Sequence, residues 1–147
     1  MKDILLFISD QHSWLQQGYA GDPLIRTPNL DRIASEGTAM QNASTPYPVC
    51  VPARMAMLTG QLASRCGVMS NMAALDSNRA TFAHCLNTAG YETVLCGRMH
   101  FVGPDQRHGF SKRIAGDITA IYHNRPNQAF AAERGVHDKT PRAGHPA

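Results

Sequence analysis

Thr81-Phe82-Ala83-His84-Cys85-Leu86-Asn87-Thr88-Ala89-Gly90-Tyr91-Glu92-Thr93-Val94-Leu95-Cys96 is the stretch from which the fold class follows. Its first half has a helix grammar: Thr81 suits an N-cap, and Gly90 suits the left-handed residue that closes a helix over residues 81–89. Its second half, residues 91–96, gathers Thr93, Val94 and Leu95 into a run suited to a buried strand. A helix that hands over directly to an apolar strand is the repeating step of an α/β chain.

Working outward, the same step recurs. Residues 52–58 predict a helix with Pro52 at its start and Gly60 just past its end. Residues 27–36 predict another, with Thr27 as N-cap, Pro28 in the first turn and Gly37 as the left-handed stop. Residues 38–43 fit a short strand. Residues 4–9 form a continuous run of large aliphatics and Phe7, as expected of a strand buried in a parallel sheet. The expectation is an α/β fold with a mixed, largely parallel sheet flanked by helices, over residues 1–118. Residues 119–147, rich in His, Asn, Arg, Pro and Gly with little periodicity, are expected to form a poorly ordered tail of the kind a truncation or frameshift leaves.

Composition narrows the function classes. The 147 residues carry 14 basic and 11 acidic groups, a net charge of +3, without a Lys/Arg run, so nucleic acid is not an expected partner. No apolar stretch approaches the ~20 residues of a membrane span, and residues 4–8 are too few for a signal-peptide core. The expected setting is cytoplasmic, with reduced thiols. Cys50, Cys66, Cys85 and Cys96 form no CxxC pair, which argues against a zinc knuckle or a redox dithiol.

Two segments hold groups suited to chemistry. Asp10 and Gln11 follow the first apolar run directly, where open α/β sheets place ligands, and their oxygens suit a hard divalent cation such as calcium. A plain loop cap at Asp10 is the competing reading. Cys50 stands two residues ahead of Pro52, at the mouth of a helix, where unpaired N–H groups favour an anion. Arg54 follows one turn later. A small buried Cys beside a surface Arg is the competing reading here.

Taken together, Cys50-Val51-Pro52-Ala53-Arg54 with Leu58-Thr59-Gly60 resembles the CxPxR signature of the sulfatases, members of the alkaline-phosphatase superfamily. Ile8-Ser9-Asp10-Gln11-His12 is similar to that family's first metal-binding strand end. Thr27-Pro28-Asn29-Leu30-Asp31-Arg32-Ile33-Ala34 is similar to its first helix, and Gly90-Tyr91-Glu92-Thr93-Val94-Leu95-Cys96-Gly97-Arg98-Met99-His100 to its second signature. Residues 99–106, followed by His108-Gly109-Phe110, resemble the choline-sulfatase branch.

The resemblance implies a sulfuric ester hydrolase acting on a small sulfate ester. Cys50 would be oxidised to formylglycine by a formylglycine-generating enzyme, and its hydrated aldehyde would be the nucleophile. It implies calcium or another divalent cation held by Asp10, Gln11 and the modified Cys50. Arg54 would steady the nucleophile, Arg98 would grip the sulfate, His100 would orient or deprotonate the diol, and Asn71 would line the substrate pocket. Arg98 stands where the family has Lys, which keeps the charge but changes its aim. Val51 stands where a small residue is common.

The family's remaining metal ligands lie beyond the matched region. The resemblance therefore also implies an N-terminal portion with little turnover by itself, whose uncovered sheet would favour association between copies. The alternatives are a phosphonate or phosphodiester hydrolase of the same superfamily and a non-catalytic remnant.

Overall fold

The computed structural model describes residues 2–116, which separate into two compact units with the division between Ser44 and Thr45. The proposed tail, residues 119–147, lies outside the described residues.

The first unit is organised around one carboxylate. Helix α1, Pro28–Glu36, starts after Thr27, but the Thr27 hydroxyl does not cap it. Instead Thr27 Oγ1 donates to Asp31 Oδ1 at 2.9 Å and accepts the Gly18 N–H at 2.8 Å. Asp31 Oδ1 also accepts the Tyr19 N–H at 2.8 Å, tying the single 3-10 turn Gly18–Ala20 to α1. A Cβ at Gly18 would lie 2.6 Å from Asp31 Oδ2, so a side chain here would push the carboxylate from its place. The helix bounds match the sequence expectation, but its stop does not. Gly37 has φ −125°, so the helix ends without a left-handed residue.

Neither strand expected in this unit is present. Residues 4–9 and 38–43 belong to no helix or strand, and Leu5 and Phe7 are 78% and 85% exposed. An apolar run shows that side chains favour burial. A strand is a pairing, and nothing local to residues 4–9 supplies the partner backbone.

The second unit holds a hydrophobic core and a parallel pair. Helix α2, Cys50–Thr59, buries Val51, Met55 and Leu58 against Cys66 of α3, Ala63–Cys66, and against Val68, Leu75, Leu95, Met99 and Phe101. Helix α4, Phe82–Thr88, follows a reciprocal capping box between Thr81 and His84. Strand β1, Val94–Cys96, pairs in parallel with β2, Lys112–Ala115, with Val94 opposite Lys112 and Leu95 opposite Arg113. The α/β expectation holds here, in a small parallel sheet.

Strand β1 is shorter than residues 91–96, and it is buried on one face only. Leu95 packs into the core while Val94 and Cys96 face outward. With only one layer packed against the pair, one face of each strand is covered. Asn87 joins α4 to the entry of β2: its Nδ2 donates to the Gly109 carbonyl at 2.6 Å, and its Oδ1 accepts from Thr93 Oγ1 and Ser111 Oγ at 2.8 and 3.0 Å.

Candidate active site

Cys50 is the first residue of α2, which starts two positions earlier than the expected helix over 52–58, and it is half-buried. Pro52 is therefore the third helical residue, still within the first turn where its missing N–H has no intrahelical carbonyl to meet. The residue before the helix, Val49, is extended and carries no polar side chain to cap it. The cap is imported instead. Asn71 Oδ1, from a loop 20 residues further on, accepts the Val51 N–H at 2.9 Å. At the other end Gly60, with φ 64°, closes the helix by donating its N–H to the Ala56 carbonyl.

Arg54 is one turn along α2 and is 8% exposed. Its Nη1 donates to the Arg98 carbonyl at 2.9 Å, so the guanidinium pins α2 to the segment that leaves the C-terminal end of β1. The β1–β2 connection, residues 97–111, contains no helix. Arg98 and His100 thus emerge beside the C-terminal end of a parallel strand, the end at which open α/β sheets bind ligands. Arg98 Nη2 lies 3.1 Å from His100 Nδ1. A guanidinium only donates, so Nδ1 is the acceptor and the neutral imidazole carries its proton on Nε2. In this state His100 offers an N–H rather than a lone pair at Nε2, which suits orienting or donating more than abstracting a proton.

The structure therefore brings Arg54, Arg98 and His100 into one hydrogen-bonded chain and sets Asn71 against the residue next to Cys50. Asp10 and Gln11 belong to the first unit and sit together in a turn at its surface. Among the described residues, no group of three or more His, Cys, Asp or Glu is placed to hold a metal ion. As donors, the Asp10 carboxylate and Gln11 amide oxygen fit a hard cation in kind. In number they fall short of the six to eight oxygens calcium takes.

Backbone strain marks the same positions. Three described non-glycine residues have positive φ: Gln11 at 57°, His100 at 55° and His108 at 40°. Such conformations cost free energy and persist where surrounding structure enforces them, often at functional sites. Gln11 and His100 are candidate site residues read from the sequence; His108 was read there only as part of the branch resemblance. It is 1% exposed, its ring meets Phe101 edge-on with centroids 4.7 Å apart, and its Nδ1 lies 3.3 Å from Asp105 Oδ2.

Burial, above all, holds the His108 imidazole below its ordinary pKa; Asp105 opposes this, while His84 and Arg113 add to it. Burial pushes the Asp105 carboxyl up, but the N–H groups of His108 and Arg107 and the neighbouring imidazoles outweigh it, so its pKa is lowered. The available signal was Asp105-Gln106-Arg107-His108-Gly109, an Asp three residues ahead of a His–Gly step, which reads as an Asx-type turn.

All four cysteines are free thiols, with Cys66 buried and Cys85 and Cys96 exposed. No helix among the described residues is long and apolar enough to cross a membrane.

Known proteins resemble this chain over most of its length. Residues 2–141 match the family model described as Sulfatase. A choline-sulfatase of Rhizobium meliloti (strain 1021) is 47% identical over 94 residues, covering 64% of this chain and 18% of that protein. The ulvan-active sulfatase of Formosa agariphila is 32% identical over 132 residues, covering 84% of this chain and 26% of its own length. The solved structure of BT4656 in complex with its substrate D-glucosamine-2-N,6-O-disulfate superposes with a TM-score of 0.61 at 33% identity, over 65% of this chain and 19% of that one. The chain thus spans about a fifth to a quarter of the length of these relatives. With the family model covering nearly the whole chain, this protein belongs to the sulfatase family.

Proposed function

We propose that the chain carries the nucleophile-bearing part of a sulfuric ester hydrolase acting on a small sulfate ester of the choline-sulfate type. The observation that supports it most directly is the hydrogen-bonded sequence Arg54, Arg98, His100 beside the helix that begins at Cys50. Cys50, half-buried at the first turn of α2, is accessible to a formylglycine-generating enzyme, and the hydrated aldehyde made there supplies the attacking oxygen on sulfur. Val51, held by Asn71, keeps the first turn of α2 in place, and the helix N-terminus favours the anionic sulfate.

Arg54 is committed through Nη1 to a carbonyl and therefore acts as a fixed charge. Arg98 offers its guanidinium to the sulfate oxygens and, through Nη2, orients the His100 ring. His100, protonated at Nε2, donates toward the nucleophile or the departing alcohol oxygen. Asn71 faces the substrate with its amide hydrogens. Asp10 and Gln11 would contribute oxygens to a calcium ion, whose charge would stabilise the developing negative charge on sulfate.

The test is co-expression with a formylglycine-generating enzyme followed by peptide mass spectrometry. The expected product has the Cys50 thiol exchanged for an aldehyde oxygen, and a Cys50→Ala control lacks it. A thiol that stays unmodified under conditions that convert a known sulfatase would sink the proposal. Comparing an aryl sulfate with an aryl phosphonate as ligands then separates the ester classes, and preferential binding of the phosphonate would move the assignment to that class.

A further inference from the structure

His100 is a strained residue between two anchored carbonyls. Its φ of 55° lies in the left-handed region that L side chains rarely adopt, so contacts on either side must enforce it. On the N-terminal side the Arg98 carbonyl accepts from Arg54 Nη1. On the C-terminal side the Phe101 carbonyl accepts from Gln106 Nε2 at 3.3 Å, and the same nitrogen donates to the Gly103 carbonyl at 2.8 Å.

Gln106 is itself fixed from β2. Arg113, opposite Leu95 in the parallel pair, donates through Nη1 to the Gln106 carbonyl at 2.9 Å and to its Oε1 at 2.7 Å. A guanidinium only donates and a carbonyl only accepts, so a single orientation of the amide meets all these contacts: Oε1 toward Arg113, Nε2 toward the loop. Both side chains are buried, where such bonds gain strength and a missing partner costs most. The Arg113 guanidinium also lies over the Phe101 ring, 5.4 Å from its centroid, and Phe101 is fully buried. Phe101 is thereby held at its ring and at its carbonyl.

From this geometry we infer that Gln106, fixed by Arg113, is a positioning residue for His100: it holds the backbone turn that presents the imidazole to Arg98. The inference rests on the role proposed above for His100. With the Gln106 donor removed, the Phe101 carbonyl is released and His100 relaxes toward negative φ. Its Nδ1 then leaves Arg98 Nη2, and the guanidinium and the ring lose their common orientation.

The experiment is carbethoxylation of the full chain by diethyl pyrocarbonate at about pH 7.5, where an ordinary imidazole is neutral. Peptide mass spectrometry reads the rate at each histidine, with the exposed His12 as internal reference. The reagent acylates a bare ring nitrogen, and Arg98 Nη2 covers Nδ1 of His100. Gln106→Glu keeps the side-chain volume and the acceptor for Arg113 and removes only the donor. It is expected to raise the His100 rate about tenfold, as is Arg98→Met, and the two together no more than either alone. A residue serving only the fold would act by the same factor with or without Arg98. An unchanged His100 rate in Gln106→Glu, or effects that multiply in the double variant, overturns the inference. Gln106→Met repeats the comparison without a buried carboxylate, and loss of cooperative urea unfolding in both variants would assign Gln106 to the fold and overturn it as well. Cys50 takes no part in these rates, so a thiol that resists conversion to formylglycine sinks the proposed chemistry while leaving this result standing.

Discussion

His108 is the residue at which local conformation, burial and charge coincide. It sits in the left-handed region at φ 40°, is 1% exposed, and has Asp105, His84 and Arg113 as its charged or titratable neighbours. Its pKa is held below the ordinary value by burial first. Above about pH 6.5 the imidazole is neutral whether the chain is folded or unfolded, so its contribution to stability is fully present. As pH falls below that value the unfolded chain takes up the proton first, and the contribution is lost down through the folded pKa. The urea midpoint is therefore expected to fall between about pH 7.5 and pH 5, and His108→Gln to flatten that fall. A wild-type midpoint constant over this range would contradict the assignment. A second, separate loss belongs to Asp105, whose lowered pKa adds stability above the ordinary carboxylate range that disappears in stronger acid. His100 shows how chemistry follows from one contact, because a guanidinium at 3.1 Å from Nδ1 decides which nitrogen carries the proton.

Among the elements, α2 and α4 show two ways of starting a helix. Thr81 caps α4 from within its own sequence, and its hydroxyl also donates to the His108 carbonyl at 2.7 Å, binding the helix to the β1–β2 connection. Helix α2 lacks such a residue and borrows Asn71. The first arrangement was legible because a capping residue is adjacent in sequence to the helix it starts. The second was not, because the partner is 20 residues away and only the packing of the loop brings it there. Gly109 belongs to the same junction. Its φ is 95°, and a Cβ there would fall on the His84 imidazole, 2.6 Å from Cε1. Gly109→Ala combines a left-handed penalty with an overlap against a ring held in the capping box, and is expected to cost about 2–4 kcal/mol. Chemical denaturation measures it. A loss below about 0.5 kcal/mol would mean that the ring moves aside freely.

At the scale of the molecule, Asp10 and Gln11 belong to the first unit, and Cys50, Arg54, Asn71, Arg98 and His100 to the second. With two oxygen donors adjacent at Asp10 and Gln11 and no larger cluster among the described residues, isothermal titration is expected to show calcium binding weaker than about 1 mM. Binding tighter than about 10 µM would show that the chain assembles more of the coordination shell than these residues supply. The sequence by itself determined the family, the helices at 28–36, 50–59 and 82–88 to within a residue or two, and the identity of the candidate site residues. Those properties rest on signals local in the chain: caps, closing glycines and motif spacing. Tertiary structure alone decided that residues 4–9 stay unpaired, that Leu95 faces inward while Val94 and Cys96 do not, and that Arg54 grips the carbonyl of Arg98. Each of these depends on which distant backbone or side chain arrives as a neighbour. A strand needs a partner edge, a buried face needs a covering layer, and a guanidinium needs an acceptor, none of which an apolar run or a motif carries within itself.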